Sequence, residues 1–188
     1  MMGFISKATV KLAEHLMEQT GVIPEDRAVV CPARKAAEEA RVKSGTDAGI
    51  HVGAAIELHD GSIVTGKSSD LMSASSSMVL NSIKKLAEVP DRIHIISPNI
   101  LGSIGVLERQ ILQEKVLSLD LNDTLIALSI SAAHNPTAQD AMERLRDLKG
   151  CEVHLTHMPS PGDETGLRRL SVNLTTDPQF ASKNLHSV

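Results

Sequence analysis

The sequence predicts an α/β fold: three layers around a mixed five-stranded sheet, built from a β-hairpin followed by three parallel strands with crossover helices. Three observations predict it. Near residue 50 the apolar pattern switches from helical spacing to two extended runs joined by Asp60-Gly61, a strong hairpin signal. After the hairpin, helix and strand patterns alternate three times, which imposes parallel pairing. The chain is 188 residues long with 41% hydrophobic and 22% charged residues, enough for one domain with a single core.

In order, Ile5, Ala8, Leu12 and Leu16 recur at helical spacing over residues 4–20, and Gly21 with Pro24 ends that helix. A second helix starts at Pro32 and runs through Ala33, Ala36, Ala37 and Ala40 to Gly45. The hairpin strands are residues 50–58 and 62–66, and a helix over residues 73–88 turns Met78, Val79, Ile83 and Leu86 inward. Residues 93–96 read as a short buried strand, 100–115 as a helix, and the nearly all-apolar 124–130 as a central strand buried on both faces. Asn135 as N-cap, Pro136 at the first position and Gly150 at the end delimit a further helix. The last strand is residues 151–156, followed by a short helix near 163–170. The expected organisation is N-terminal helices over 1–45, an α/β core over 46–158, and an extension of the same domain over 159–188.

Composition excludes several classes of function. The formal charge of -4 and the absence of any concentrated Lys and Arg segment argue against nucleic acid. Two Phe with no Trp or Tyr leave little to stack on a base. Cys31 and Cys151 lie in no CxxC pair, which fits free thiols in a reducing compartment. No apolar run approaches the roughly 20 residues that span a bilayer, and no signal-peptide stretch opens the chain, so no membrane partner and a cytoplasmic location are expected.

The hairpin wording, a Gly-Ala-Ala strand at 53–55, the Asp60-Gly61 turn and the Thr65-Gly66 exit, resembles the opening of cytidine-deaminase-like domains, and the expected element order resembles that fold. Zinc deaminases then carry His-x-Glu at the next helix start and Pro-Cys-x-x-Cys after the next strand. Here those positions read Ser73-Ala74-Ser75 and Pro98-Asn99-Ile100-Leu101-Gly102, so zinc deamination is excluded and neither a metal nor a cofactor is expected. A closer resemblance is carried by VGAAIEL (52–58), VLNSIK (79–84), LIALSISAAHNP (125–136) and PGDETGLRRL (161–170). These strings resemble the C-terminal part of the bacterial domain-of-unknown-function family eighteen-forty-six. The resemblance implies proteins considerably longer than this chain and no established activity. The family's pattern usually has His at the position of Ser73, a departure that weakens any role carried over to it.

The expected sheet would place helix N-termini beside strand C-terminal ends, a setting for a polar or anionic ligand. Ser73 (with Ser68, Ser69 and Ser76), Ser97 and Asn99, and Ser131, His134 and Asn135 fall at such points. Helix capping alone accounts for Ser and Asn there. His134, between an expected buried strand and a helix start, is the candidate general base. His154 and His157, with Asp163 and Glu164, carry no known metal-ligand spacing and are read as structural. Asp163 and Arg168 follow a Pro-Gly turn that could fold over the strand ends, where Arg168 would clamp an anion. Two functions follow as expectations. In one, a zinc-free domain binds a small polar or phosphorylated metabolite through Ser73, Asn99, Ser131, His134, Asn135, Asp163 and Arg168, as a binding domain or part of an enzyme. In the other, it is a non-catalytic assembly or regulatory module that forms a homo-oligomer or joins a partner chain supplying the N-terminal region.

Overall fold

A computed structural model describes residues 7–45, 49–107, 110 and 118–180. Helix α1 (Lys7–Thr20) and α2 (Val30–Ser44) precede the hairpin strands β1 (Gly53–Glu57) and β2 (Ile63–Lys67). Helices α3 (Ala74–Leu86), α4 (Pro98–Val106), α5 (Leu121–Ala132) and α6 (Pro136–Glu143) follow. The chain then forms β3 (Glu152–Leu155), α7 (Pro161–Arg169) and β4 (Asn173–Thr176).

The fold is α/β with one mixed sheet of four strands in the order β2-β1-β3-β4. Strand β1 is antiparallel to both neighbours, and only β3 and β4 run parallel. The expected fifth strand and the cytidine-deaminase-like arrangement are therefore corrected, and the correction has two sources. Residues 124–130 are the middle of α5. Asp120 caps this helix by accepting from the Asp123 N–H at 3.1 Å, and the buried positions Leu121, Thr124, Ala127, Leu128, Ser131 and Ala132 follow a helical period. A short apolar run is ambiguous between strand and helix, and the cap decides it here.

Residues 93–96 form no strand and pair with no edge of the sheet. Ile95 and Ile96 are nevertheless buried in the core. Among the described residues β4 has a single neighbour, and an edge strand needs no apolar run, which is why its Asn-Leu-Thr-Thr sequence gave no strand signal. The helix expected over 136–150 is α6 followed by a 3-10 turn over Arg144–Leu148, with Gly150 at φ +79°. Part of the helix expected over 100–115 lies outside the described residues.

The sheet separates two unlike layers. One face presents Ala54, Ile56, Val64, Val153 and Leu155 to α3, α5, α6 and α7, forming the main core. The other face presents Gly53 and Ala55 to α2, where Val29, Ala33 and Ile63 make a small second cluster. Both sides depend on close backbone approach: a Cβ on Gly53 would lie 2.1 Å from Ala33 O, and one on Gly66 would lie 2.2 Å from Met78 N. Helix α1 is different. From Ala8 to Thr20 every residue but the half-buried Val10 is exposed, including Leu12 and Leu16. No helix among the described residues is long and apolar enough to cross a membrane.

Candidate functional site

Two polar clusters form within the described residues, one on each side of the sheet. The first centres on Asp163, in the first turn of α7 and buried. Its Oδ1 accepts from Ser73 Oγ at 2.7 Å and from the Leu121 N–H at 2.9 Å. Its own N–H donates to Ser160 Oγ at 3.1 Å. Ser73 in turn caps α3 by accepting from the Ser76 N–H at 3.1 Å. The starts of α3, α5 and α7 thus converge on one carboxylate, which satisfies the Leu121 N–H that α5 cannot pair internally and fixes the Ser73 hydroxyl that caps α3. Burial pushes the Asp163 carboxyl above the ordinary carboxylate range, opposed by the bonds from Ser73 and Leu121. Gly162 leaves no slack beside it, since a Cβ there would overlap the Asp120 carboxylate.

The second cluster lies under α2 on the β3–β4 edge. His154 of β3 is buried, its Nδ1 2.9 Å from Thr175 Oγ1. Its Nε2 lies 3.4 Å from Asp177 Oδ1, within ion-pair reach but not aligned as a hydrogen bond. Arg34 of α2 grips Asp177 with two bonds, Nε to Oδ2 at 3.0 Å and Nη2 to Oδ1 at 2.9 Å, and also meets Glu25. Arg27 bonds Glu152 and Thr175. Burial holds His154 below the usual imidazole range, partly opposed by Asp177, and burial does the same to His157. The Arg34 guanidinium holds Asp177 below the carboxylate range. These groups lock α2 to the far edge of the sheet. Each Arg faces at least one carboxylate, two guanidinium groups against the three carboxylates of Glu25, Glu152 and Asp177.

The residues expected to line one ligand site are distributed over the fold. Ser73 and Asp163 are brought into contact at the N-terminal end of α5. Ser131, His134 and Asn135 lie at its C-terminal end, which for a helix of 12 residues is about 18 Å away. Ser131 is buried and its Oγ accepts from the Ser97 N–H at 3.1 Å. Asn135 caps α6 through the N–H groups of Thr137 and Ala138. His134 is exposed in the turn between α5 and α6, and Asn99 is exposed on α4. Arg168 is exposed and pairs along its own helix with Glu164. Among the described residues no three His, Cys, Asp or Glu side chains come together as a metal-ligand group. Arg27, Arg34, Thr175 and Asp177 were missed by sequence reasoning. Arg34 and Asp177 stand 143 residues apart, and no local pattern announces such a pair.

A family model described as the C-terminal domain of unknown function DUF1846 matches residues 25–186. A UPF0371 protein of Clostridium botulinum strain Alaska E43 is 44% identical over 185 residues, covering 98% of this chain and 36% of the relative. UPF0371 proteins of strains Eklund 17B and 657 are 44% and 42% identical, with the same coverage. The chain spans about a third of the length of these relatives. With its described fold and this match over most of its residues, the chain belongs to the DUF1846 C-terminal domain family.

Proposed function

We propose that this chain is an assembly module that works joined to the region preceding this domain in its longer relatives, and that α1 is the element that joins them. The observation that carries the reading is α1 itself. Leu12 is 58% exposed and Leu16 51%, one helical turn apart, and Val22 and Ile23 after the helix are exposed as well. A helix with an apolar stripe gains its stability by burying that stripe. The relatives match 98% of the chain, α1 included, whereas the C-terminal domain model begins only at residue 25. Helix α1 therefore stands at the boundary between this domain and the other two-thirds of such proteins, where a covering surface would lie. The test is co-purification of the chain with the N-terminal region of a Clostridium botulinum relative. A stable complex that Leu12→Glu with Leu16→Glu abolishes is expected. No complex, or one indifferent to that pair, defeats the reading.

A small polar metabolite is the second reading, favoured by the polar groups gathered where α3, α5 and α7 begin; the Asp163 carboxylate among them favours a ligand that donates hydrogen bonds over a phosphorylated one. Such a ligand would bind the folded chain and raise its melting temperature. Saturation at 100 times the dissociation constant adds about 2.7 kcal/mol. A thermal-shift series with nucleosides and amino acids, and with sugar phosphates as the anionic contrast, checks it, and an unmoved transition throughout removes it.

A further inference from the structure

A recess of about 370 Å³ opens where the 3-10 turn after α6 meets the end of α7, away from every residue the sequence assigned to a ligand. Small-molecule sites span about 300–1,000 Å³, and this one falls within that range. Met142, Leu145 and Leu170 supply its apolar lining, each half-buried and packed against the main core. Arg146, Lys149 and Arg169 supply three cations, against the single carboxylate of Glu143.

These three cations have no anion of their own. Arg144 pairs with Asp147 and Arg168 with Glu164, whereas Arg146, Lys149 and Arg169 make no ion pair or side-chain hydrogen bond among the described residues. Arg146 and Arg169 stand in last helical turns, where a cation complements the helix end. That role does not account for three cations from two segments meeting at one recess, in a chain of net charge -4. Ser171 completes the lining at φ +57°. The left-handed residue after a helix is usually Gly, so Ser at this point keeps a hydroxyl at the recess against a backbone preference.

We infer that this recess binds a small phosphate monoester carrying an apolar group. Such a phosphate bears a charge of about -1.5 to -2, which matches the excess of three cations over one carboxylate. Guanidinium groups such as those of Arg146 and Arg169 grip phosphate oxygens with paired N–H donors. Met142, Leu145 and Leu170 cover the apolar group. The recess adjoins the C-terminal end of α7 and Asp163 its first turn, so this inference is independent of both readings above.

The experiment is calorimetric titration of the full chain with phenyl phosphate, inorganic phosphate and phenol. The variants are Arg146→Gln with Arg169→Gln, and Arg144→Gln, which removes a charge outside the recess. Phenyl phosphate is expected to bind saturably and about tenfold more tightly than inorganic phosphate, with no binding of phenol. The Arg146 and Arg169 pair of changes weakens it by about tenfold or more with an unchanged melting curve, and Arg144→Gln leaves it unchanged. Lys149→Gln, at a single exposed side chain, repeats the test if the double variant misfolds. Absence of saturable phenyl phosphate binding, or binding indifferent to these changes, overturns the inference. Inorganic phosphate bound as tightly as phenyl phosphate also overturns it, because the apolar lining then contributes nothing. Loss of phenyl phosphate when the N-terminal region of a relative is bound overturns it by giving the recess to that region.

Discussion

Asp163 and His154 are each buried titratable groups, and they respond to acid in opposite senses. Asp163 accepts two bonds that hold separate helix starts together. Charge-assisted hydrogen bonds of this kind are worth about 1.5–3 kcal/mol, so Asp163→Ala is expected to cost at least about 2 kcal/mol in urea unfolding. Arg168→Ala, which removes one exposed pair within a helix, is expected to change stability by less than about 0.5 kcal/mol. Burial lowers the His154 imidazole, so the unfolded chain binds the extra proton first. Its contribution is full above the unfolded value near 6.5 and is lost as the pH falls through it toward the folded value. His157 acts in the same sense. Unfolding midpoints should therefore drop between neutral and mildly acidic pH, and His154→Gln with His157→Gln should flatten that drop. Asp163, held high, adds stability as the pH falls from its folded to its unfolded value, a slope opposite in sign to that of the histidines. An identical pH profile in the double variant would show that other groups carry the dependence.

At the scale of elements, α5 makes the sharpest demand. A central strand buried on both faces would resent truncation at every apolar position, whereas the helix has one inner and one outer side. Leu128→Ala is expected to cost about 2–5 kcal/mol, and Ile126→Ala less than about 1 kcal/mol in the isolated chain. Equal losses would contradict the helix. Gly53→Ala is expected to destabilise by about 1–3 kcal/mol, because the new Cβ drives into the α2 backbone rather than into a yielding side chain. Much of this organisation was legible locally: the Asp60-Gly61 hairpin, the caps at Ser73 and Asn135, and Pro136 all stand where the chain pattern puts them. The element over 124–130 was misread because a short aliphatic run suits either geometry, and the Asp120 cap lies just upstream of it. Site geometry was less legible. Ser73 and Asp163 were both expected to line a site, yet their mutual bond spans 90 residues and depends on where three helices end up. The Arg34 clamp on Asp177 is equally non-local.

For the whole molecule, the exposed apolar stripe of α1 is the surface proposed to meet the rest of a longer protein. Covering Leu12 and Leu16 on docking would return about 1.5–3 kcal/mol for each side chain fully buried. The melting temperature of the chain should accordingly rise on adding the N-terminal region of a relative, and Leu12→Glu should remove the rise without lowering the melting temperature of the chain alone. The central position of β1 has a consequence for synthesis. One of its edges is paired by β2 a few residues later, but the other waits for β3, with Ala54 opposite Leu155. During translation at about 5–20 residues per second, that second edge stays open for roughly 5–20 seconds while the intervening hundred residues are made. For that interval a nascent chain displays Gly-Ala-Ala-Ile-Glu as a bare, pairing-competent ribbon. The ribosome, or a chaperone at its exit, is the first surface that has to keep it from pairing with another chain.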